Sequence, residues 1–580
     1  MISGRILADR RAAWITGVGL VALTLVGQFA RLAEPDMGYM LYAAGRLLDG
    51  AKLYRDVVDI NPPPIFAFNL PIVWIARVTH VSDIQLYRLV TVLVVGAVLL
   101  FVRRLLTHYL LPERPVERHY VLLLLTFVLL PLAREDFGQR EHLVLALLLP
   151  YLAIVIARLE RRSPATGDAA IAGALAGLVV ALKPPFALPL IASEAWCRWR
   201  SPDSRMRPTP EVSALAVVVC LYLVVVLTVT PDYLRLVGTL GQAYTTYLRV
   251  APLNLILFAP GAPLTAFALL AAIALRGERR HDEARSVVSV AMVGCFLAGV
   301  AQQKGLRYHF YPSFALATLL LGLVATACSE GVTKSGRIYR RVASWAAMAV
   351  VIVTLGSAGL DLFGGSGSDR RLRAEFGTLL ATVRMHARGE AIGVLSYHMG
   401  SAFPLINYAG VPFASRFPCL WILPASYWEA LSGEAPIRYH EPAEMGAPER
   451  MLTRAVAEDL VRARPRLLLI LRPFPDRRPY GFRRLNYVAY FGRDPMIAAL
   501  LARYQRITGV GQYDIFERVD SDTTRVEAAP SPVVLPVREA ASSERPPVID
   551  GGLLAGLAIF VAIALASGVK TFLAWRGRYN

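Results

Sequence analysis

Residues 34–66 read EPDMGYMLYAAGRLLDGAKLYRDVVDINPPPIF, a polar stretch set between two apolar runs. Ala12–Ala33 precedes it and Ile84–Val102 follows it. Each run is about twenty residues, the length that crosses a hydrocarbon core. Neither run shows the alternation or striping of a half-buried element. The loop between them therefore brings Asp36, Asp56, Asp59, Asn61 and three consecutive prolines to a membrane surface. The prolines predict an extended stretch that holds the loop down on the membrane.

The same pattern extends along the chain, whose 580 residues are 55% hydrophobic with a mean hydropathy of +0.46. A net charge of +19 would point to nucleic acid in a soluble protein. Here the arginines cluster at the ends of apolar runs, as the positive-inside rule requires, and no nucleic-acid partner is expected. Ala12–Ala33 follows the basic MISGRILADRR and is long for a signal peptide, so it reads as a span running outward. Further spans are expected at Ile84–Val102, Tyr120–Ala133, His142–Ala157, Ala169–Leu182, Phe186–Trp196, Val212–Thr230, Leu253–Leu275, Ser286–Gln302, His309–Cys328, Val342–Leu360 and Gly552–Trp575. All arginine-rich loops then share one side, giving about twelve spans with both termini cytoplasmic. Ile65–Thr79 is apolar but short, and counting it would put Arg103, Arg104, Arg114 and Arg118 outside. It reads as an interfacial or re-entrant helix.

The fold class that follows is a polytopic α-helical membrane protein with an inserted α/β extracytoplasmic domain. Residues 1–362 form the membrane module, with external loops 34–83 and 134–141. Residues 363–519 alternate strand-like runs (Ile392–Tyr397, Leu467–Leu471, Tyr513–Phe516) with helical ones (Arg370–His386, Pro448–Arg462, Pro495–Tyr504). Residues 520–550 read as a flexible tether, and 551–580 as the last span and a cytoplasmic tail. Cys419 stands alone in the external part, so that part folds without disulfides. No CxxC or His/Cys metal spacing occurs.

Ionisable residues are nearly absent inside the spans and concentrate on the external loops, which favours chemistry at the outer surface over midplane transport. Asp36 precedes a helical stretch ending at Gly50, and its simplest role is to cap that helix. The loop REDFGQREH, Arg134–His142, is denser in charge than a connecting turn needs. Its Glu135 and Asp136 are weak candidates for a divalent cation, though no metal or other cofactor is predicted. The chain has five lysines. Two of them, Lys183 in ALKPPF and Lys304 in QQKGLRYHFYP, sit at outward span ends, where a compact charge suits a phosphate and snorkelling is the plainer role. Tyr39, Tyr42, Trp74, Tyr244, Tyr247, Tyr308 and Tyr311 suit sugar stacking or an interfacial aromatic belt. The stretch Arg472–Arg493 could hold an acidic glycan or lipid headgroups.

Taken in order, several of these motifs resemble the GT-C glycosyltransferases, particularly bacterial relatives of protein O-mannosyltransferases and lipid A aminoarabinose transferase. They are Asp36-Met37-Gly38-Tyr39, Leu53-Tyr54-Arg55-Asp56, Asp59-Ile60-Asn61-Pro62-Pro63, Tyr87-Arg88-Leu89, Gln139-Arg140-Glu141, Leu182-Lys183-Pro184 and Tyr308-His309. The resemblance covers roughly residues 1–330. It implies a polyprenyl-phosphate sugar donor, an inner-membrane location with the active site facing the periplasm, and helices lying flat between the first two spans. Many relatives carry Lys-Pro-Pro where this chain has Asn61-Pro62-Pro63, and that lysine is tied to donor phosphate. The resemblance then assigns the compensating charge to Lys183, Lys304, Arg88 or Arg140. An Asp-Glu pair of relatives is reduced here to Asp36-Met37.

The resemblance makes Asp36 the general base that takes the acceptor hydroxyl proton. A departing phosphate needs positive charge and no second acid, so single displacement with inversion is expected. Tyr39, Asp59, Asn61, Glu135, Asp136, Glu141, Tyr308 and His309 are candidates for holding sugar or acceptor, or for supporting the loops. The acceptor could be a cell-envelope glycan, a glycolipid or a protein, with membrane lipids as neighbours. Two alternatives remain open: a polysaccharide ligase or polymerase of the O-antigen type, and a non-enzymatic lipid-glycan transporter.

Overall fold

A computed structural model describes residues 10–201, 208–274, 282–327, 367–433, 435–474 and 481–519. The expected spans Val342–Leu360 and Gly552–Trp575 and the tether 520–550 lie outside the described residues. Met1–Asp520 form one compact unit.

The helices come in chain order as α1 (Arg10–Phe29), α2 (Pro35–Leu48), α3 (Pro63–Thr79), α4 (Asp83–Leu105), α5 (Pro115–Leu129), α6 (Arg140–Leu159), α7 (Thr166–Leu182) and α8 (Ala187–Arg200). They continue as α9 (Pro210–Thr228), α10 (Pro231–Thr246), α11 (Pro252–Phe258), α12 (Ala262–Ala274), α13 (Asp282–Ala301) and α14 (Arg307–Ala327). Six of the described helices are long and apolar enough to cross a membrane, or up to 7 if a bent pair counts as one span. The chain is thus a polytopic helical membrane protein. Central α6 is 89% buried across its apolar window and α9 only 11%, so α6 is the axis and α9 faces outward.

Proline opens many of these helices, because the N–H it lacks has no partner at a first helical position. That rule corrects the reading of Pro62–Pro64. Only Pro62 is extended, and Pro63 and Pro64 begin α3. The single span expected at Leu253–Leu275 is a pair, α11 and α12, bent by 67°. Pro260 forces Ala259 into an extended conformation, which ends α11. Helix α10 was not expected from the sequence.

Helices α7 and α9 cross closely. A Cβ at Gly173 would overlap the carbonyl of Glu211, and one at Gly177 would overlap Val218. Small residues spaced four apart let two backbones approach in this way. Beside this crossing, Arg158 Nη1 donates to Glu194 Oε2 and to Glu211 Oε1, each at 2.8 Å, and joins α6, α8 and α9.

Residues 367–519 carry α15 (Gly367–Ala387), α16 (Ala447–Ala463) and a four-stranded sheet of order β1-β2-β4-β3. Strand β1 (Ile392–Leu395) pairs parallel with β2 (Leu467–Leu471), while β4 (Tyr513–Arg518) runs antiparallel to β2 and to β3 (Tyr504–Val510). Strands β1 and β2 are buried throughout, as their continuous apolar runs require. The expected helix Pro495–Tyr504 ends at Leu501, because Tyr504 pairs with Arg518 and begins β3.

This region seats on α2 and on the loop after it. Asn407 Nδ2 donates to the Gly38 carbonyl at 3.0 Å, Phe413 N donates to the Tyr42 hydroxyl at 3.1 Å, and Val58 N donates to the Arg416 carbonyl at 2.8 Å. Gly38 makes the seat possible, since a Cβ there would lie 2.9 Å from Asn407 Oδ1 and 3.2 Å from Pro404 Cα.

Candidate active site

Asp36 lies in the first turn of α2, whose N-cap is Glu34, and no side chain makes a capping bond there. The capping role expected of Asp36 is therefore not the one it plays. The residue as a whole is half-buried, and its carboxylate accepts from Gln139 Nε2 at 3.5 Å. Arg140, Glu141 and Lys183 are the charged groups that act on it. Burial, opposed by Arg140, pushes its pKa above the ordinary carboxylate range.

Arg140 opens α6 and donates to Asn61 Oδ1. Asn61 is fixed in turn: its N–H donates to Asp59 Oδ1 at 2.7 Å, and its carbonyl accepts from Tyr54 Oη at 2.8 Å. Asp59 is buried beside Tyr39, and burial pushes its carboxyl up to about 6. Asn61 thus grips an arginine at the start of α6.

Lys183 follows the last turn of α7 and donates to Glu141. Its Nζ stands 5.5 Å from the centre of the Tyr308 ring, and burial pushes its pKa down to about 8. His309 Nε2 lies 3.6 Å from Glu141 Oε1. Asp36, Asn61, Arg140, Tyr244 and Tyr308 keep exposed surface, while Asp59, Gln139, Glu141, Lys183 and His309 are buried. Two half-buried residues, Asp36 and Arg140, thus rest on a buried polar support.

The remaining candidates stand elsewhere. Arg88 Nη2 donates to the Arg31 carbonyl at 2.9 Å, with Glu34 and Tyr408 as neighbours. Lys304 donates to the carbonyls of Tyr244 and Tyr247 and stands 4.3 Å over the Tyr244 ring, so it ties down the end of α10. Burial pushes its pKa down to about 8. Glu135 and Asp136 both pair with Arg307, at 2.9 and 3.2 Å. A guanidinium therefore takes up the charge that could have drawn a cation. Among the described residues no group of three His, Cys, Asp or Glu is placed to hold a metal ion.

The connecting loop before α6 is held by side chains. Tyr87 donates to the Gly138 carbonyl, and Gln28 Nε2 donates to the Arg134 carbonyl at 2.7 Å. Gly138 N donates to His142 Nδ1 at 3.1 Å, which leaves His142 Nε2 as the donor to the Leu129 carbonyl at 2.6 Å. Sequence reasoning missed Glu34, Arg307 and the part played by α10. Glu34 lies among Glu135, Asp36, Arg307 and Asp136, and burial pushes its pKa up to about 8. A carboxylate one residue before a proline-opened helix was the available signal.

No sequence-family model matches the chain, and no curated protein matches it in sequence. A crystal structure of ArnT from Cupriavidus metallidurans bound to undecaprenyl phosphate is similar over 87% of this chain and 98% of that one, with TM-score 0.52 and 12% identity. The chain shares the fold of that ArnT structure, as the GT-C resemblance of its motifs implied. ArnT from the same organism in the apo state has TM-score 0.49 and 14% identity, over 88% of this chain and 98% of that one. A cryo-EM structure of the arabinofuranosyltransferase AftD from Mycobacteria has TM-score 0.41 and 14% identity, over 89% of this chain and 40% of that one. The GT-C fold explains why motifs scattered from Asp36 to His309 meet. Helices α2, α6 and α14 and the turn after α7 all end at one patch.

Proposed function

We propose that the chain is an inverting glycosyltransferase that moves a sugar from a polyprenyl-phosphate donor to a hydroxyl acceptor on the outer side of the bacterial inner membrane. One observation carries the reading: half-buried Asp36 stands with Arg140 and Lys183, the pairing of base and cations that such a transfer needs. The undecaprenyl phosphate bound in ArnT supports the donor class.

In this mechanism Asp36 takes the acceptor O–H proton as that oxygen attacks the anomeric carbon. The glycosidic C–O bond to phosphate breaks with inversion, and the new negative charge falls on the phosphate. Arg140, held by Asn61, and Lys183 stabilise that charge. Arg140 thus supplies the charge that lysine provides at the Asn61 position in relatives. Arg88 and Lys304 act as structural ties. The region 363–519 faces outward as an inserted domain and helps to position the acceptor, and about twelve spans with both termini inside complete the layout.

The test is reconstitution with a panel of polyprenyl-phosphate sugars and candidate acceptors, comparing the wild type with Asp36→Asn. Transfer by the wild type, reduced by about 10²–10⁴-fold in a folded variant, supports the reading. Undiminished turnover in the variant removes Asp36 as the base.

A further inference from the structure

The support beneath Asp36 is crowded with negative charge. Two cations, Arg140 and Lys183, stand among three carboxylates, Asp36, Asp59 and Glu141. Glu141 is fully buried and binds the Lys183 ammonium, so a phosphate that drew on Lys183 would compete with it for that charge. The groups that face Glu141 are Lys183, Arg140, Asp36, Asp136, Tyr244, Tyr308 and His309, and those that face His309 include Lys183, Arg140 and Lys304. Two atoms of this set lack a hydrogen-bond partner although buried, Glu141 Oε2 and His309 Nδ1.

A phosphodiester adds one more negative charge to this group. A carboxylate that loses its ammonium partner in buried surroundings, next to a new anion, becomes neutral by taking a proton. His309 is placed to share that proton. We infer that Glu141 is the resident counter-ion of Lys183, that the donor phosphate displaces it, and that the Glu141–His309 pair takes up one proton as the exchange occurs. The inference rests on the donor reading above. The exchange balances simply: the phosphate oxygen replaces the carboxylate on the ammonium, and one proton passes from water to the carboxyl–imidazole pair. No bond to carbon changes. When product leaves, the pair gives back the proton and Glu141 recovers Lys183, which helps to expel the lipid phosphate. Glu141 is in this sense a positioning residue, since it acts through Lys183.

The test is calorimetric titration of the full-length chain in nanodiscs with the methyl ester of undecaprenyl phosphate. This probe is a phosphodiester with no sugar and no proton to lose near neutral pH. Titrations at one neutral pH in two buffers of different ionisation enthalpy report protons taken up per ligand bound. The wild type is expected to take up close to one, and Glu141→Gln combined with Lys183→Arg, whose guanidinium stays charged, close to none. In turnover assays the wild-type donor KM rises up to about tenfold per pH unit through neutrality, and the variant's KM stays flat there. Wild-type binding without proton uptake overturns the inference, and that arm needs no variant to fold. Uptake that survives in that double variant also overturns it, because the proton then belongs to Asp59 or Asp36. A wild type that binds no phosphodiester removes the donor reading, and this inference with it.

Discussion

At the scale of single residues, Arg140 donates to Asn61, and the proposed mechanism gives that guanidinium the work of a lysine at position 61. It leads to a swap experiment. Arg140→Gln should weaken catalysis by about 10²-fold, measured as kcat/KM for the donor. Adding Asn61→Lys should recover part of the loss, because the ammonium would then occupy the same corner. The pH profile is also a residue-scale property. Asp36 must be ionised to act and its pKa is raised, so kcat at saturating donor should fall as pH drops through values above the ordinary carboxylate range. Lys183 must be protonated to hold phosphate and titrates near 8, so donor KM should rise as pH climbs past that value. Asp36, Arg140 and Lys183 were legible in the sequence because each interrupts an apolar pattern at a span end. Their relative importance was not, since only the fold shows that Lys304 is spent on the carbonyls of Tyr244 and Tyr247 and Arg88 on that of Arg31.

At the scale of elements, the apolar runs gave helix positions well, because about twenty apolar residues have few other uses. Breaks within them were harder to read. The bend between α11 and α12 depends on one proline, and Tyr504 went to a strand because its partner Arg518 lies too far along the chain to be seen locally. Two tests belong at this scale. Gly173→Val would force α7 away from α9 and should cost about 1–3 kcal/mol, visible as a lower melting temperature in detergent. Arg158→Met would leave buried Glu211 without its cation, while Glu194 keeps Arg198, at a cost of about 3–5 kcal/mol. The same melting assay checks it.

At the scale of the whole molecule, residues 367–519 were legible as alternating strands and helices, but not their seat on α2. That seat joins Gly38 to Asn407 and Val58 to Arg416 across more than half the chain, and no local pattern encodes such a pairing. Gly38→Leu should lift the region from α2, with faster trypsin cleavage within 367–519 and loss of transfer. The carbonyl that Asn407 grips belongs to the helix that carries Asp36, two residues away. A chimera that imports a foreign outer region onto this bundle would therefore disturb the base directly unless residues 34–61 travelled with it. New acceptor preferences should consequently arise by changes spread over both partners, and rarely by exchange of the outer module alone.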